Sequence, residues 1–234
     1  MRILLMLLML ALGVGEVQAQ DHGFRFVRVS YEDEGGSGFG RFGRGNVWAH
    51  DYPTADYNFH EAIKRTTNIH IEGDPIVLSL DDDAIFDHTV LYLCEPGYWT
   101  LSDEQAERLR AYLERGGFLL FDDFRNMREW INTYEQMQKV FPDNEPVELP
   151  PDHPVWSIYY DVDPVAAPSG VSGCWDDCED TYYGTFAPDG RLVALWCHNQ
   201  DIGDGWEWPD FNPGDVSTVS FQMGINFLIY ALTH

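Results

Sequence analysis

The 234-residue chain is 44% hydrophobic and 15% aromatic, a composition that excludes intrinsic disorder and supplies a substantial core. Its formal net charge of −25 argues against nucleic acid and anionic lipid headgroups as partners and in favour of cations.

Met1-Arg2 and the apolar run from Ile3 to Val14 read as a signal peptide, with one positive residue before a run too short to span a bilayer. Val17-Gln18-Ala19 places small or branched residues before the expected cut. The expected organisation is therefore a leader over 1–19 and a single domain over 20–234. The leader carries one Arg and one Glu, so the mature charge is unchanged. No cysteine follows the cut, so no lipid anchor is expected. Export implies a periplasmic or secreted protein with no membrane span after cleavage, in a disulfide-permissive compartment. Cys174 and Cys178 are close enough in sequence to close a small disulfide loop. Cys94 and Cys197 each end an apolar run, either as neighbours on one sheet or as buried thiols. A zinc site using all four cysteines lacks the paired CxxC spacing.

Phe24–Tyr31 alternates and reads as the first strand. The glycine-rich segment from Gly35 to Gly45 contains a formal GxGxxG at Gly38, Gly40 and Gly43, but no helix opens at the third glycine, so a flexible, lid-like loop is the better reading. Trp48–Phe59 leads into a helix whose first turn suits Pro53 and Asp56, with Phe59, Ala62, Ile63 and Thr66 on one face. His70–Glu72, Ile76–Leu80 and Thr89–Cys94 read as strands, the last closed by Glu95-Pro96-Gly97. Ser102-Asp-Glu-Gln105 is a capping box for a helix striped by Ala106, Leu109, Tyr112 and Leu113. Gly116-Gly117 ends that helix.

Phe118-Leu-Leu-Phe121 then runs apolar without alternation, as a strand buried on both faces does, and stops at Asp122-Asp123. Met127, Trp130, Ile131, Tyr134, Met137 and Phe141 fit a helical core stripe. After residue 145 the texture becomes proline-rich and aromatic, with β segments expected at Val147–Leu149, Val155–Tyr160 and Tyr182–Phe186. Leu192–Cys197 is another buried strand, Asn199–Trp208 an acidic Gly/Trp-rich loop, and a last helix opens at Ser217 with Phe221, Ile225, Leu228, Ile229 and Leu232 on one face. Strands alternating with helices argue for one α/β sheet.

Asp51-Tyr-Pro-Thr-Ala-Asp-Tyr-Asn-Phe59, Leu109–Asp123, His198-Asn-Gln-Asp-Ile-Gly-Asp-Gly-Trp-Glu207 and the terminal Gly224–His234 occur together. The combination resembles the bacterial domain-of-unknown-function family 4159, over essentially the whole mature chain. The resemblance implies a flavodoxin-like fold related to class I glutamine amidotransferases, a mostly parallel sheet flanked by helices, here with an aromatic, proline-rich insertion. It supplies no established activity, substrate or catalytic residue. The related enzymes carry a cysteine nucleophile at a sharp turn after a strand and a histidine after a later one. In this chain the turn reads Leu120-Phe121-Asp122-Asp123, without cysteine, and Cys197-His198-Asn199 retains a histidine. A carboxylate without an activating partner does not replace the thiolate in acyl transfer, so glutamine hydrolysis is not expected.

In open α/β sheets ligands bind at the C-terminal strand edge. Tyr31, Glu95, Asp122, Asp123, His198, Asn199 and Asp201 are expected to collect there. Asp122, Asp123 and His198 are candidates for holding a divalent cation, the candidate cofactor, or for acid/base work; the two aspartates equally suit capping of the next helix. Asp201, Asp204 and Glu207 have calcium-loop residue types without the spacing. Trp175, Trp206 and Trp208 offer faces for sugar rings, or cover the core. Asp51 and Asp56 flank Pro53 as further ligand-binding candidates or helix-start residues. Two functional classes follow. One is a non-catalytic module binding a small ligand or an envelope protein, and the other a metal-assisted hydrolase using the Asp/Asp/His cluster.

Overall fold

The computed structural model describes residues 23–32, 39–40, 43–44, 46–164, 181–212 and 215–234. Along the chain run β1 (Val27–Ser30), the two-residue strands β2 (Phe39–Gly40) and β3 (Gly43–Arg44), α1 (Thr54–Thr66), β4 (Ile76–Ser79), β5 (Val90–Cys94), α2 (Asp103–Glu114), β6 (Phe118–Phe124), α3 (Asn126–Val140), β7 (Val147–Glu148), β8 (Thr181–Phe186), β9 (Leu192–His198), α4 (Ile202–Glu207) and α5 (Val216–Thr233). The leader, Cys174, Trp175 and Cys178 lie outside the described residues, as do Gly35 to Gly38 of the glycine-rich segment. Gly40 and Gly43 fall in the antiparallel β2–β3 pair.

The main sheet has the order β4-β1-β5-β6-β9-β8-β7. The first five strands are mutually parallel, and β8 and β7 join antiparallel. From β1 the chain adds β4 on one side and β5 on the other, so the order reverses between β1 and β5. Such a reversal opens a crevice at the C-terminal edge.

The unalternated runs are buried on both faces, as their composition requires. Phe118 and Leu120 of β6 join Tyr92, Cys94 and Leu195 in one core, against Phe59 of α1, Trp206 of α4 and Phe227 of α5. Leu119 and Phe121 join Leu91, Leu93 and Trp196 in the other, against Leu109 and Leu113 of α2 and Met137 of α3. Burial of each such side chain contributes about 1.5–3 kcal/mol. By length and composition α5 could cross a membrane; here it packs on α1 and α4. Cys94 and Cys197 are buried free thiols on strands separated by β6.

The capping box forms as read, Ser102 accepting from the Gln105 N–H while the Gln105 side chain accepts from Ser102. At the α2–β6 turn Gly116 has φ +109, and a Cβ on Gly117 would stand 2.4 Å from the Tyr112 ring. Both positions require glycine.

Four local expectations are corrected. Val155–Tyr160 is not a strand: Pro154–Trp156 is a 3-10 turn, and Asn226 binds the Trp156 and Tyr160 carbonyls in place of a ladder. His70–Glu72 contributes only an isolated bridge, Ile71 to Phe24. Asn199–Trp208 is not all loop, because the Asp201 side chain accepts from the Asp204 N–H and caps α4. On α3, Met127 and Ile131 are 67% and 46% exposed, and the buried face instead carries Glu129, Asn132, Thr133 and Gln136 beside Met137 and Val140. That face docks on the irregular chain after β5, whose backbone needs polar partners. Asn132 donates to the carbonyls of Gly97 and Trp99, and Gln136 accepts from the Leu101 N–H.

Candidate functional site

The register of β6 on β9 decides which side chains meet. Phe121 stands opposite Trp196 and Phe124 opposite His198, so Asp122 and Asp123 together face the single Cys197. This extra residue is a β-bulge, and Asp123 takes φ +56 within it. Non-glycine residues seldom adopt that conformation. Asp51, Glu95, Asn126 and Asn199 adopt it too. These residues follow or end different elements, yet all lie around the C-terminal ends of β5, β6 and β9 or the loop into α1. Backbone strain of this kind concentrates at functional sites.

Asp122 points toward the α4 side. It accepts from the Tyr92 hydroxyl at 2.7 Å and from the Ile202 and Gly203 N–H groups at 3.1 and 2.8 Å. The helix it anchors is thus α4, not the α3 that follows it in sequence. Burial pushes its pKa up to about 6 against the pull of these donors. A Cβ on Gly203 would lie 2.7 Å from both Asp51 Oδ2 and the Tyr92 hydroxyl, so glycine lets α4 close on the site.

Asp123 lies at the centre of the ionic network. Its Oδ2 is 2.8 Å from His50 Nδ1, and its Oδ1 is gripped by Arg125. Arg125 also reaches Asp201 Oδ2 at 2.8 Å. Asp123 is fully buried, which alone would raise its pKa, but His50 and Arg125 hold it below the usual range. Burial would lower His50; the hydrogen bond to Asp123 and the charges of Asp51, Asp123 and Glu95 outweigh it and bring the imidazole to about 9.

Asp51 and Glu95 lack such compensation. Asp51 is 5% and Glu95 3% exposed. Both Asp51 oxygens and Glu95 Oε2 are buried without a hydrogen-bond partner, although Asp51 Oδ1 lies 3.4 Å from His50 Nδ1. Burial raises Asp51 to about 8 and Glu95 to about 9, the latter aided by the charges of Asp123 and Glu129. Burial, then Asp123, pushes Asp201 well up and Asp204 up.

Of the residues expected at this edge, Tyr31, Glu95, Asp122, Asp123, Asn199 and Asp201 lie there, and Asp51 and Asp204, read separately as ligand candidates, lie beside them. The Tyr31 hydroxyl is 2.7 Å from the Glu95 carbonyl oxygen, Asn199 Oδ1 accepts from the Asn126 N–H, and Glu207 lies close to Asp51 and Asp204. Three candidates are elsewhere or otherwise engaged. Strand parity turns His198 to the opposite face from Asp122: its ring packs 5.2 Å from Phe124 and 4.9 Å from Trp130, and its Nε2 lies 3.3 Å from the Asn126 carbonyl. Trp206 has no exposed face for a sugar, being stacked 4.2 Å from Phe59. Asp56 is bound to Arg28 inside the core.

Sequence reading passed over His50, Arg125, Arg28 and Tyr92. The adjacency of Arg125 to Asp122-Asp123, and of His50 to Asp51, was the available signal. Loop residues carry no periodicity to say which way they face.

The family model described as Domain of unknown function (DUF4159) matches residues 25–232. No curated protein matches the sequence.

Proposed function

The chain belongs to the family Domain of unknown function (DUF4159), and from that premise we propose a function on the geometry of its site: a non-catalytic binding module that takes a positively charged ligand among the carboxylates at the C-terminal edge of its sheet. The observation that carries this reading is the burial of Asp51 and Glu95 with unpartnered carboxylate oxygens, beside Asp123 and Asp201. Buried acids in such number are stabilised by a cation or else hold protons. Among the described residues Arg125, His50 and Arg28 are the cationic groups acting on these acids, and Arg28 is already committed to Asp56.

The order of the parallel strands, β4-β1-β5-β6-β9, corresponds to 2-1-3-4-5 when they are renumbered along the chain, the order of flavodoxin-like sheets. It supports the flavodoxin-like, amidotransferase-like reading of the fold, with the thiolate elbow replaced by an acidic bulge. The leader supports a soluble protein in the periplasm or outside the cell, binding a small ligand or an envelope protein through this edge. The hydrolase reading rested on Asp122, Asp123 and His198 acting together, and the turning of His198 to the other face removes its support.

A thermal-shift panel tests the proposal. Divalent metal ions and organic amines are expected to include a stabilising ligand, whereas phosphate and neutral sugars are not. Stabilisation by anions or sugars alone, or a cation-induced shift that survives unchanged in Glu95→Gln, would sink it.

A further inference from the structure

We infer that His50, Glu95 and Asp123 hold one divalent cation of the zinc class, Zn2+ or Mn2+, with Asp51 beside it as a further carboxylate donor. The inference deepens the proposed function and rests on it.

One ligand atom from each of His50, Glu95 and Asp123 lies within 4.8 Å of the others, a spacing that a single ion with bonds of about 2.0–2.2 Å can bridge after small side-chain movements. His50 and Asp51 form a second such group with Cys94, so the imidazole faces donors from two directions. A cluster of acids alone would not specify a metal. Here the independent observation is that Glu95 Oε2 and both Asp51 oxygens are buried and unpartnered beside that imidazole. Packing has placed acceptors where no protein donor makes a hydrogen bond to them, the His50 imidazole 3.4 Å from Asp51 Oδ1 being the group at hand.

The supporting groups are also those a metal centre needs. Arg125 holds one Asp123 oxygen and leaves Oδ2 toward His50. Arg28 Nη1 donates to the Trp48 and His50 carbonyls, each at 3.0 Å, and so fixes the backbone that presents the imidazole. The Tyr31 hydroxyl, 2.7 Å from the Glu95 carbonyl, fixes the backbone of the second donor. Outer contacts of this kind orient metal ligands and tune them. The imidazole argues against Ca2+ or Mg2+, which take oxygen ligands, and in favour of Zn2+ or Mn2+ held by nitrogen and carboxylate. On binding, the ion displaces the proton between His50 Nδ1 and Asp123 Oδ2 and the proton that the buried Glu95 carboxyl holds, and both leave to solvent.

The test uses the full chain, stripped with a chelator, desalted and titrated with Zn2+ or Mn2+ alone. Elemental analysis should find one equivalent in the wild type. His50→Ala and the isosteric Glu95→Gln should each weaken binding by at least about tenfold, while His198→Ala on the opposite face retains the full equivalent. Each variant is checked for a cooperative melt, and either folded variant suffices. One equivalent retained at unchanged affinity in a folded His50→Ala or Glu95→Gln protein would overturn the ligand set. So would a thiolate-to-metal absorption band after Co2+ loading, which would place the ion on Cys94. Stabilisation by an organic amine with no Zn2+ or Mn2+ bound would end the metal inference and leave the proposed function standing. Neither cation binding would end both.

Discussion

Arg28, on β1 opposite Tyr92 of β5, and Asp51, in the loop before α1, are both buried, and they differ in what surrounds them. The Arg28 guanidinium donates from Nε to both Asp56 oxygens, at 3.0 and 3.1 Å, from Nη2 to Asp56 again, and from Nη1 to the Trp48 and His50 carbonyls. The Tyr92 ring lies 4.8 Å away. Asp51 has neither a hydrogen-bond donor for its oxygens nor an ordinary backbone, its φ being +62. The same short loop thus contributes two carbonyls to a fully satisfied cation and one unsatisfied anion. The contrast teaches that this fold is able to neutralise a buried charge, and that among the described residues the unpartnered acids lie at one edge. The satisfied pair is the scaffold on which the unsatisfied acids are presented.

Breaking the scaffold should have the largest effect. Asp56→Ala leaves Arg28 buried and unpaired, and is expected to cost about 3–5 kcal/mol in urea denaturation. A loss below about 1 kcal/mol would show that water or the loop carbonyls suffice for Arg28, and the comparison would lose one side.

The second way to sharpen the contrast is pH. Asp51 and Glu95 rise from 3.8 and 4.5 to about 8 and about 9, and His50 rises from 6.5 to about 9. All three hold protons more tightly folded than unfolded. Their stabilising contribution is complete below the unfolded values and is lost as pH rises through the folded ones. Stability of the cation-free protein should therefore fall between about pH 4 and about pH 9, by at most about 1.4 kcal/mol per pH unit for each net proton. Asp123, held low, works in the opposite sense, and only in acid. A profile that is flat or rises over that window would mean that the acids are compensated after all.

The smallest effect should come from His198. With the Asn126 carbonyl 3.3 Å from its Nε2 and aromatic rings around it, His198→Leu is expected to change stability by about 1 kcal/mol or less and to leave cation binding unaltered. A variant that lost binding would return His198 to the site.

Much of this arrangement was legible in the sequence. The runs at Ile76–Leu80, Thr89–Cys94, Phe118–Phe121 and Leu192–Cys197 lie in the parallel sheet, and the acids that end or follow three of them reach its C-terminal edge. The bulge was not legible, because nothing in Asp122-Asp123 announces that two residues will face one partner. Without it, counting along β6 and β9 pairs the wrong faces and brings His198 to the acids. The helix α4 was hidden by Gly203 and Gly205, which weaken a helix intrinsically. They are required by tertiary crowding: a Cβ would approach Asp51 and Tyr92 at 2.7 Å in one case and Ser220 Oγ at 2.2 Å in the other. The polar face of α3 was missed for a related reason. Asn132 and Gln136 look like solvent-facing residues until the irregular chain after β5 supplies the backbone groups they bind.

The central claim is that Asp51 is a buried acid whose oxygens lack a hydrogen bond and which the His50 imidazole 3.4 Å away only partly compensates, and the sign of one substitution tests it most directly. Asn occupies the same volume and tolerates positive φ better than most residues, so Asp51→Asn removes the charge while keeping the backbone. In urea denaturation of the cation-free protein above about pH 8, the variant is expected to be more stable than the wild type by roughly 1 kcal/mol or more. A variant less stable by a similar amount would mean that the Asp51 carboxylate is held by favourable contacts, and the account of this edge as an acidic surplus would be wrong.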